Sequence, residues 1–237
     1  MSAIAAPAQT MLEVDAIDTY YGDSHILKGL SFQIRKGETV ALLGRNGVGK
    51  TTTLKSIVGW VPPKRGRIVF DGIDVTGESM MQSARRGISL VPEERRIFTN
   101  LTVYENIKLA QVTARKAGWT TEDVFAHFPR LRERWKNKGD EISGGEKQML
   151  AIARALVQDT KLLLLDEPTE GLAPLIVREV EEIVREIKAA GMTILLVEQN
   201  FYSALSLADR CYVIDQGTIA FSGTPEELKN DLGKLSV

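Results

Sequence analysis

The chain has 237 residues, 43% of them hydrophobic and 26% charged, with a formal net charge of −1. That length can bury one large core, or one core with a subdomain, and the near-neutral balance argues against non-specific nucleic-acid binding. The single cysteine, Cys211, excludes an intrachain disulfide, and no apolar stretch approaches the ~18–20 residues of a membrane span.

Residues 1–10 are small and weakly polar and read as a disordered tail, without the basic segment and apolar core of a signal peptide, so a cytoplasmic chain is expected. Met11 to Tyr21 alternates like a strand, and Leu30 to Ile34 gives another before a turn at Lys36-Gly37. Thr39 to Leu43 reads as a buried strand, and Thr52 to Val58 as a helix. Arg67 to Phe70 is a strand closed by the hairpin signal Asp71-Gly72, and Ile88 to Val91 a short strand stopped by Pro92. Residues from about 93 to 156 show no strand pattern. Thr102 to Ala117 and Thr121 to Phe128 read as helices capped by Thr102 and by Thr120 or Thr121, and the basic run Arg130 to Lys138 as a solvated helical face. Lys147 to Val157 is a further helix. Strands then return at Lys161 to Leu165, Thr193 to Val197, Arg210 to Asp215 and Thr218 to Ser222. Helices alternate with them at Leu175 to Ala190, at Phe201 to Ala208 and after Thr224-Pro225. Apolar strands alternating with helices predict an α/β fold with a parallel sheet covered on both faces. Cys211 sits in the apolar run Cys211-Tyr212-Val213-Ile214 and reads as buried filler, not as a nucleophile.

Three segments carry chemistry. Gly44-Arg45-Asn46-Gly47-Val48-Gly49-Lys50-Thr51 fits the P-loop pattern between a strand and a helix. Gly44, Gly47 and Gly49 let the backbone bend and approach phosphate oxygens, and Asn46 and Thr52 belong to the same cradle. Lys50 can reach the β- and γ-phosphates, and the Thr51 hydroxyl can ligate Mg²⁺. The apolar strand Leu162 to Leu165 ends in Asp166-Glu167. Asp166 is expected to help hold Mg²⁺, and Glu167 to polarise the attacking water. Ile142-Ser143-Gly144-Gly145-Glu146 opens a helix with exposed amides. It reads either as a second phosphate-binding device, serving the nucleotide of another chain, or as an ordinary Gly-Gly helix entry.

The order of these motifs, with Ser143 to Glu146 leading into Gln148 to Leu156 and then Leu162 to Thr169, resembles the ABC ATPases from about Met11 onward. The resemblance implies a P-loop NTPase core (11–92 and 157–237), an N-terminal antiparallel β subdomain and an inserted helical subdomain (about 93–156), all in one domain. It implies ATP and Mg²⁺ as ligands, and it places an adenine-stacking aromatic at Tyr21, with Tyr20 the neighbour it is confused with and a core aromatic the plain alternative. Ser143, Gly144, Gly145 and Glu146 stand where the family's L-S-G-G-Q signature binds nucleotide, and Glu170 to Pro174 match the loop that touches a partner subunit. Two positions depart from the family pattern: Glu93 replaces the usual glutamine near the metal, and Gln199 replaces the usual histidine at the γ-phosphate. The runs Val91 to Phe98, Pro168 to Pro174 and Val197 to Asn200 resemble the branch that powers import of branched-chain amino acids and related amides, in its smaller, LivF-type subunit. Expected partners are a second ATPase chain (related, or a second copy), two membrane permease subunits and, indirectly, a periplasmic solute-binding protein, with the chain peripheral on the inner face of the membrane and no nucleic acid bound. Importers of urea, short amides or aromatic acids, and a non-transport ABC ATPase, are the alternatives. His25 and His127 lie in no motif and are expected to be solvated.

Overall fold

A computed structural model of the chain describes residues 9–113 and 118–231. In chain order the elements are β1 (Thr10–Tyr21), β2 (Ser24–Arg35), β3 (Thr39–Leu43), α1 (Lys50–Ile57), β4 (Arg65–Phe70), β5 (Ile73–Asp74), α2 (Met80–Arg86) and β6 (Ile88–Val91). Then come α3 (Val103–Thr113), α4 (Thr121–His127), α5 (Pro129–Glu133), α6 (Gly144–Leu156), β7 (Leu162–Asp166), α7 (Pro174–Ala189), β8 (Thr193–Glu198), α8 (Phe201–Leu207), β9 (Arg210–Asp215), β10 (Thr218–Gly223) and α9 (Pro225–Asp231).

Two sheets form. One is antiparallel, in the order β2-β1-β4-β5; the other runs β10-β9-β3-β8-β7-β6 and is parallel except for the β10 edge. In β3, β7 and β8 every residue is buried, which is why their sequences read as unbroken apolar runs and not as alternation. The period of two is still at work. Leu163, Leu165, Ile194 and Leu196 enter a core shared with the helices α3 to α8, while Leu162, Leu164, Leu195 and Val197 enter a core shared with β1, β2 and α1. Cys211 is fully buried, and burial pushes its thiol up to about 12, which suits packing and not nucleophilic chemistry.

Several expectations shift. The expected tail falls mostly outside the described residues, but Thr10 already belongs to β1. β2 begins six residues before Leu30, because cross-strand pairing extends to the tight turn after Tyr21. The last part of the expected helix Thr102 to Ala117, residues 114–117, lies outside the described residues. The basic run from Arg130 is helical only to Glu133, and two of its charges are paired, Arg130 with Glu179 and Arg134 with Glu146. α2 was not expected from the sequence, although Ser79 and Gln82 form a capping box, a readable start signal.

The parallel strands bring four loops to one edge of the sheet. The P-loop follows β3, Glu93 follows β6, Asp166 and Glu167 end β7, and Gln199 follows β8. This carboxyl edge is where parallel α/β sheets bind ligands.

Candidate active site

The P-loop turns through Gly49, whose φ of 117° is left-handed and whose Cβ, had it one, would lie 2.7 Å from Leu27 Cδ2. Only glycine fits, and the turn delivers Lys50 as the first residue of α1. Lys50 is 4% exposed. Its Nζ donates to the carbonyls of Gly44 (2.8 Å) and Arg45 (3.1 Å) and pairs with Glu167 Oε1 at 3.1 Å. The ammonium is thus held at the mouth of the loop, in contact with the expected general base.

Thr51 Oγ1 donates to Asp166 Oδ1 at 3.1 Å, so the two expected metal ligands, 115 residues apart in sequence, are in direct contact. Burial pushes the Asp166 carboxyl up to about 6, Glu167 and Glu93 add to the rise, and the Thr51 hydroxyl and Lys55 oppose it. A buried carboxylate in contact with a hydroxyl is an oxygen pair that suits a hard divalent cation such as Mg²⁺, and among the described residues no cluster of three acidic, imidazole or thiol side chains adds to it. A cavity of about 330 Å³ opens over these groups, with Asn46, Lys50, Thr51, Glu93, Glu167 and Glu170 in its wall. Gly47, Gly49 and Thr52 line it as well, and its size matches small-molecule sites.

Glu167 has a left-handed backbone, φ 44°, unusual for a residue with a side chain, and its N–H donates to the Val197 carbonyl at 2.9 Å. Its neighbour across the sheet edge, Glu198, went unnoticed in the sequence. It is 2% exposed, accepts a hydrogen bond from Thr169 Oγ1 at 2.8 Å, and burial pushes its carboxyl up to about 7. Gln199 is exposed directly after it.

Tyr20 is stacked on His25, with centroids 4.2 Å apart and 9° between planes, and carries Lys64 Nζ 4.5 Å from its centroid. Tyr21 is 44% exposed. Of the two, Tyr21 is the one with an accessible face. Both histidines are partly exposed, and both have partners. His25 also pairs with Asp18 at 2.9 Å, and His127 lies against Trp119 with its Nδ1 2.9 Å from the Asp123 carbonyl. Neither lines the cavity over the P-loop.

The Ser143 loop lies outside that cavity. Ser143 caps α6, its Oγ accepting the Glu146 N–H at 3.3 Å, while Glu146 Oε2 accepts the Ser143 N–H at 2.7 Å. Burial raises the Glu146 carboxyl, but its bonds from Ser143 and the nearby Arg134 outweigh this and hold it below the ordinary range. The Glu146 carboxylate is therefore engaged in holding the loop, not extended towards a ligand. The N–H groups of Gly144 and Gly145 head the helix, where no preceding turn accepts them. A Cβ on Gly145 would sit 2.3 Å from Ile176 Cγ2, so this glycine is required by packing against α7 as well. Arg95, at φ 64°, ties the region together: Nε donates to Gln148 Oε1 at 3.2 Å and Nη2 to the Glu170 carbonyl at 3.3 Å.

The pattern of the ABC transporter family matches residues 27–170. The chain belongs to the ABC transporter ATPases. Among curated relatives it is 43% identical to the high-affinity branched-chain amino acid transport ATP-binding protein BraG of Pseudomonas aeruginosa, over 90% of this chain and 93% of that one. It is 37% identical to the probable branched-chain amino acid transport ATP-binding protein LivF of Archaeoglobus fulgidus (92% and 94% covered). It is 34% identical to the lipopolysaccharide export ATP-binding protein LptB of Haemophilus influenzae (94% of each). Among solved structures, CbiO1 of Clostridium perfringens, part of the ABC transporter complex CbiONQ, superposes with a TM-score of 0.81 at 29% identity, covering 94% of this chain and 92% of that one. The family and the site together make the chain an ATPase, hydrolysing ATP to ADP and phosphate.

Proposed function

We propose that this chain powers import of branched-chain amino acids or related amides, by closing on a second ATPase chain around bound ATP. The observation that carries the reading is the split of phosphate-binding groups: the P-loop, Thr51 (bonded to Asp166) and Glu167 line one cavity, while the Ser143 loop is not part of its lining. The relation to BraG favours the solute class over the export role of LptB.

Residue roles follow from the distances. Incoming phosphate draws the Lys50 ammonium away from Glu167, which frees the carboxylate to accept a proton from a water in line with the γ-phosphate. Thr51 and Asp166 hold Mg²⁺, which when bound neutralises charge on the phosphate oxygens. Gln199 donates a hydrogen bond to the γ-phosphate but carries no proton across. Tyr21 stacks on adenine. The Gly144 and Gly145 amides complete the partner's nucleotide site. Glu93, in the cavity wall, starts the segment that leads to a cleft of about 310 Å³ lined by Trp60, Met80, Arg95, Arg96 and Arg154. This cleft seats the membrane subunit, and the chain lies peripherally on the inner face; no helix among the described residues is long and apolar enough to cross a membrane.

The test is uptake. Deleting the gene should abolish high-affinity uptake of labelled leucine, isoleucine and valine, and wild type but not Glu167→Gln should restore it. Uptake of all three unchanged, with loss of urea, amide or aromatic-acid uptake or of an exported lipid, would refute the solute class.

A further inference from the structure

Glu198 is a buried carboxyl that neither nucleotide binding nor water activation, as derived above, requires. Its strand β8 lies between β3 and β7, so its end sits between the P-loop strand and the strand that carries Asp166. Asp166 pairs with Val197 and Leu43 with Glu198 in the two parallel registers. The Glu198 carboxyl accepts Thr169 Oγ1–H at 2.8 Å, and Glu198 leads directly into Gln199 and Asn200. Thr169 belongs to the short loop of Glu167 and Glu170, both in the cavity wall. Asn200 follows Gln199 and caps α8, its Oδ1 accepting the N–H groups of Tyr202 (3.0 Å) and Ser203 (3.3 Å). One residue therefore joins the loop of the general base to the turn that presents Gln199.

The backbone of Glu167 makes that join consequential. A left-handed φ at a residue with a side chain is strained and persists only where its surroundings enforce it. Beside the local Glu170 N–H to Glu167 carbonyl bond (3.1 Å), the Lys50–Glu167 pair and the Arg95–Glu170 bond, the segment is tied to β8 at two points: the Glu167 N–H to the Val197 carbonyl, and the Thr169–Glu198 bond two residues further on. Removing the second leaves the first as the segment's remaining tie to β8.

We propose that Glu198 is a positioning residue for hydrolysis, which acts on the attacking water through Glu167 by locking the Glu167–Glu170 loop to the Gln199–Asn200 turn, and does not hold ATP. The proposal rests on Glu167 as general base. A displacement of ~1 Å at a reacting group lowers rates by up to ~10²-fold. Glu198→Ala should therefore lower kcat by ~10- to 100-fold and leave the ATP dissociation constant within about twofold. Glu198→Gln keeps an acceptor oxygen for Thr169 and should recover most of the loss.

The deciding experiment measures kcat and ATP affinity for Glu198→Ala, Thr169→Val and their double variant, each in the wild-type and the Glu167→Gln backgrounds. Thr169→Val removes the donor while leaving the buried carboxyl in place, so it tests the same bond should Glu198→Ala fold poorly. Expected are matching losses in the two single variants, no further loss in the double, and no further loss from either once Glu167 is Gln. Losses that multiply in the double variant, losses of the same factor in the Glu167→Gln background, or ATP affinity that falls in step with kcat would each overturn the proposal. A Glu167→Gln enzyme as fast as wild type is a separate result: it overturns the reading of the general base, and this inference with it.

Discussion

Asp166→Asn should stabilise the metal- and nucleotide-free protein at pH 8 and leave it unchanged near pH 4. The native carboxyl binds its proton more tightly than the unfolded chain, since burial and the neighbouring acids move it from 3.8 to about 6. Where the native state holds more protons, stability falls as pH rises. The fall runs from about pH 4 to about pH 6 and is complete above that. A tenfold change in proton affinity is about 1.4 kcal/mol, so the accumulated loss is ~3 kcal/mol at pH 8. Asn keeps an acceptor for Thr51 Oγ1 and carries no charge, so its curve lacks this descent. For a chain of this size the difference is ~6–12 °C in Tm. Melting both proteins with EDTA from pH 4 to 8 measures it directly. Glu198 contributes the same kind of fall between 4.5 and about 7, but to both proteins, and drops out of the difference. Parallel curves would refute the account of Asp166 as a crowded, buried acid. With saturating Mg²⁺ and ATP the order should reverse, because the variant has lost a ligand.

Lys50→Ala should weaken ATP affinity in a titration as well as slow turnover, since Nζ contributes charge at the phosphates; an unchanged dissociation constant would contradict the cradle. Glu167→Gln should cut turnover by ~10²–10⁴-fold while ATP still binds, and a wild-type rate would exclude Glu167 as base. His25→Ala should lower stability, through loss of the Tyr20 stack and the Asp18 pair, and leave the pH–rate profile unmoved, as should His127→Ala. Gln199→His should add an inflection between pH 6 and 7 that neither histidine variant affects, and its absence would place Gln199 away from the reacting phosphate.

What the sequence showed and what it hid divide by range. Thr51 and Asp166 were legible because each is set by its own segment, a P-loop and the end of an apolar strand, and the parallel sheet then brings them together. Glu198 was hidden because nothing in Val197-Glu198-Gln199-Asn200 marks the acid as buried; its side-chain partner, Thr169, lies 29 residues away. Arg95 was hidden for the same reason, its partners Gln148 and Glu170 lying 53 and 75 residues on. Tyr20 and Tyr21 show the limit of a period of two: alternation says that they face opposite sides of β1 but not which side meets His25 and Lys64. The helix α2 was missed although Ser79 and Gln82 announce it, because its seven residues carry little apolar pattern. Gly145 reads in the sequence as a source of free amides or as a plain helix entry, and its contact with Ile176 belongs to tertiary packing.

If the Ser143 loop binds phosphate, as proposed above, its place on the chain sets a requirement for assembly. The P-loop and the amides of Gly144 and Gly145 sit on one folded chain, yet only the first opens into the cavity with Glu167. Capping fixes the second in place: Ser143 and Glu146 satisfy each other, and Ile176 fills the space beneath Gly145. Swinging this loop to the chain's own cavity would break those contacts. A second chain related by a half-turn meets the requirement without distortion, because each chain then offers its Ser143 loop to the other's P-loop and both sites close together. ATP is the shared ligand, so association should follow ATP and not ADP. Glu167→Gln, which traps ATP, should hold the pair long enough to weigh. Light scattering should show dimer mass for Glu167→Gln with Mg²⁺ and ATP, either alone or mixed with the related ATPase chain, and monomer without nucleotide. Monomer in all of these mixtures would remove the composite site and leave the Ser143 loop as a packing element of α6.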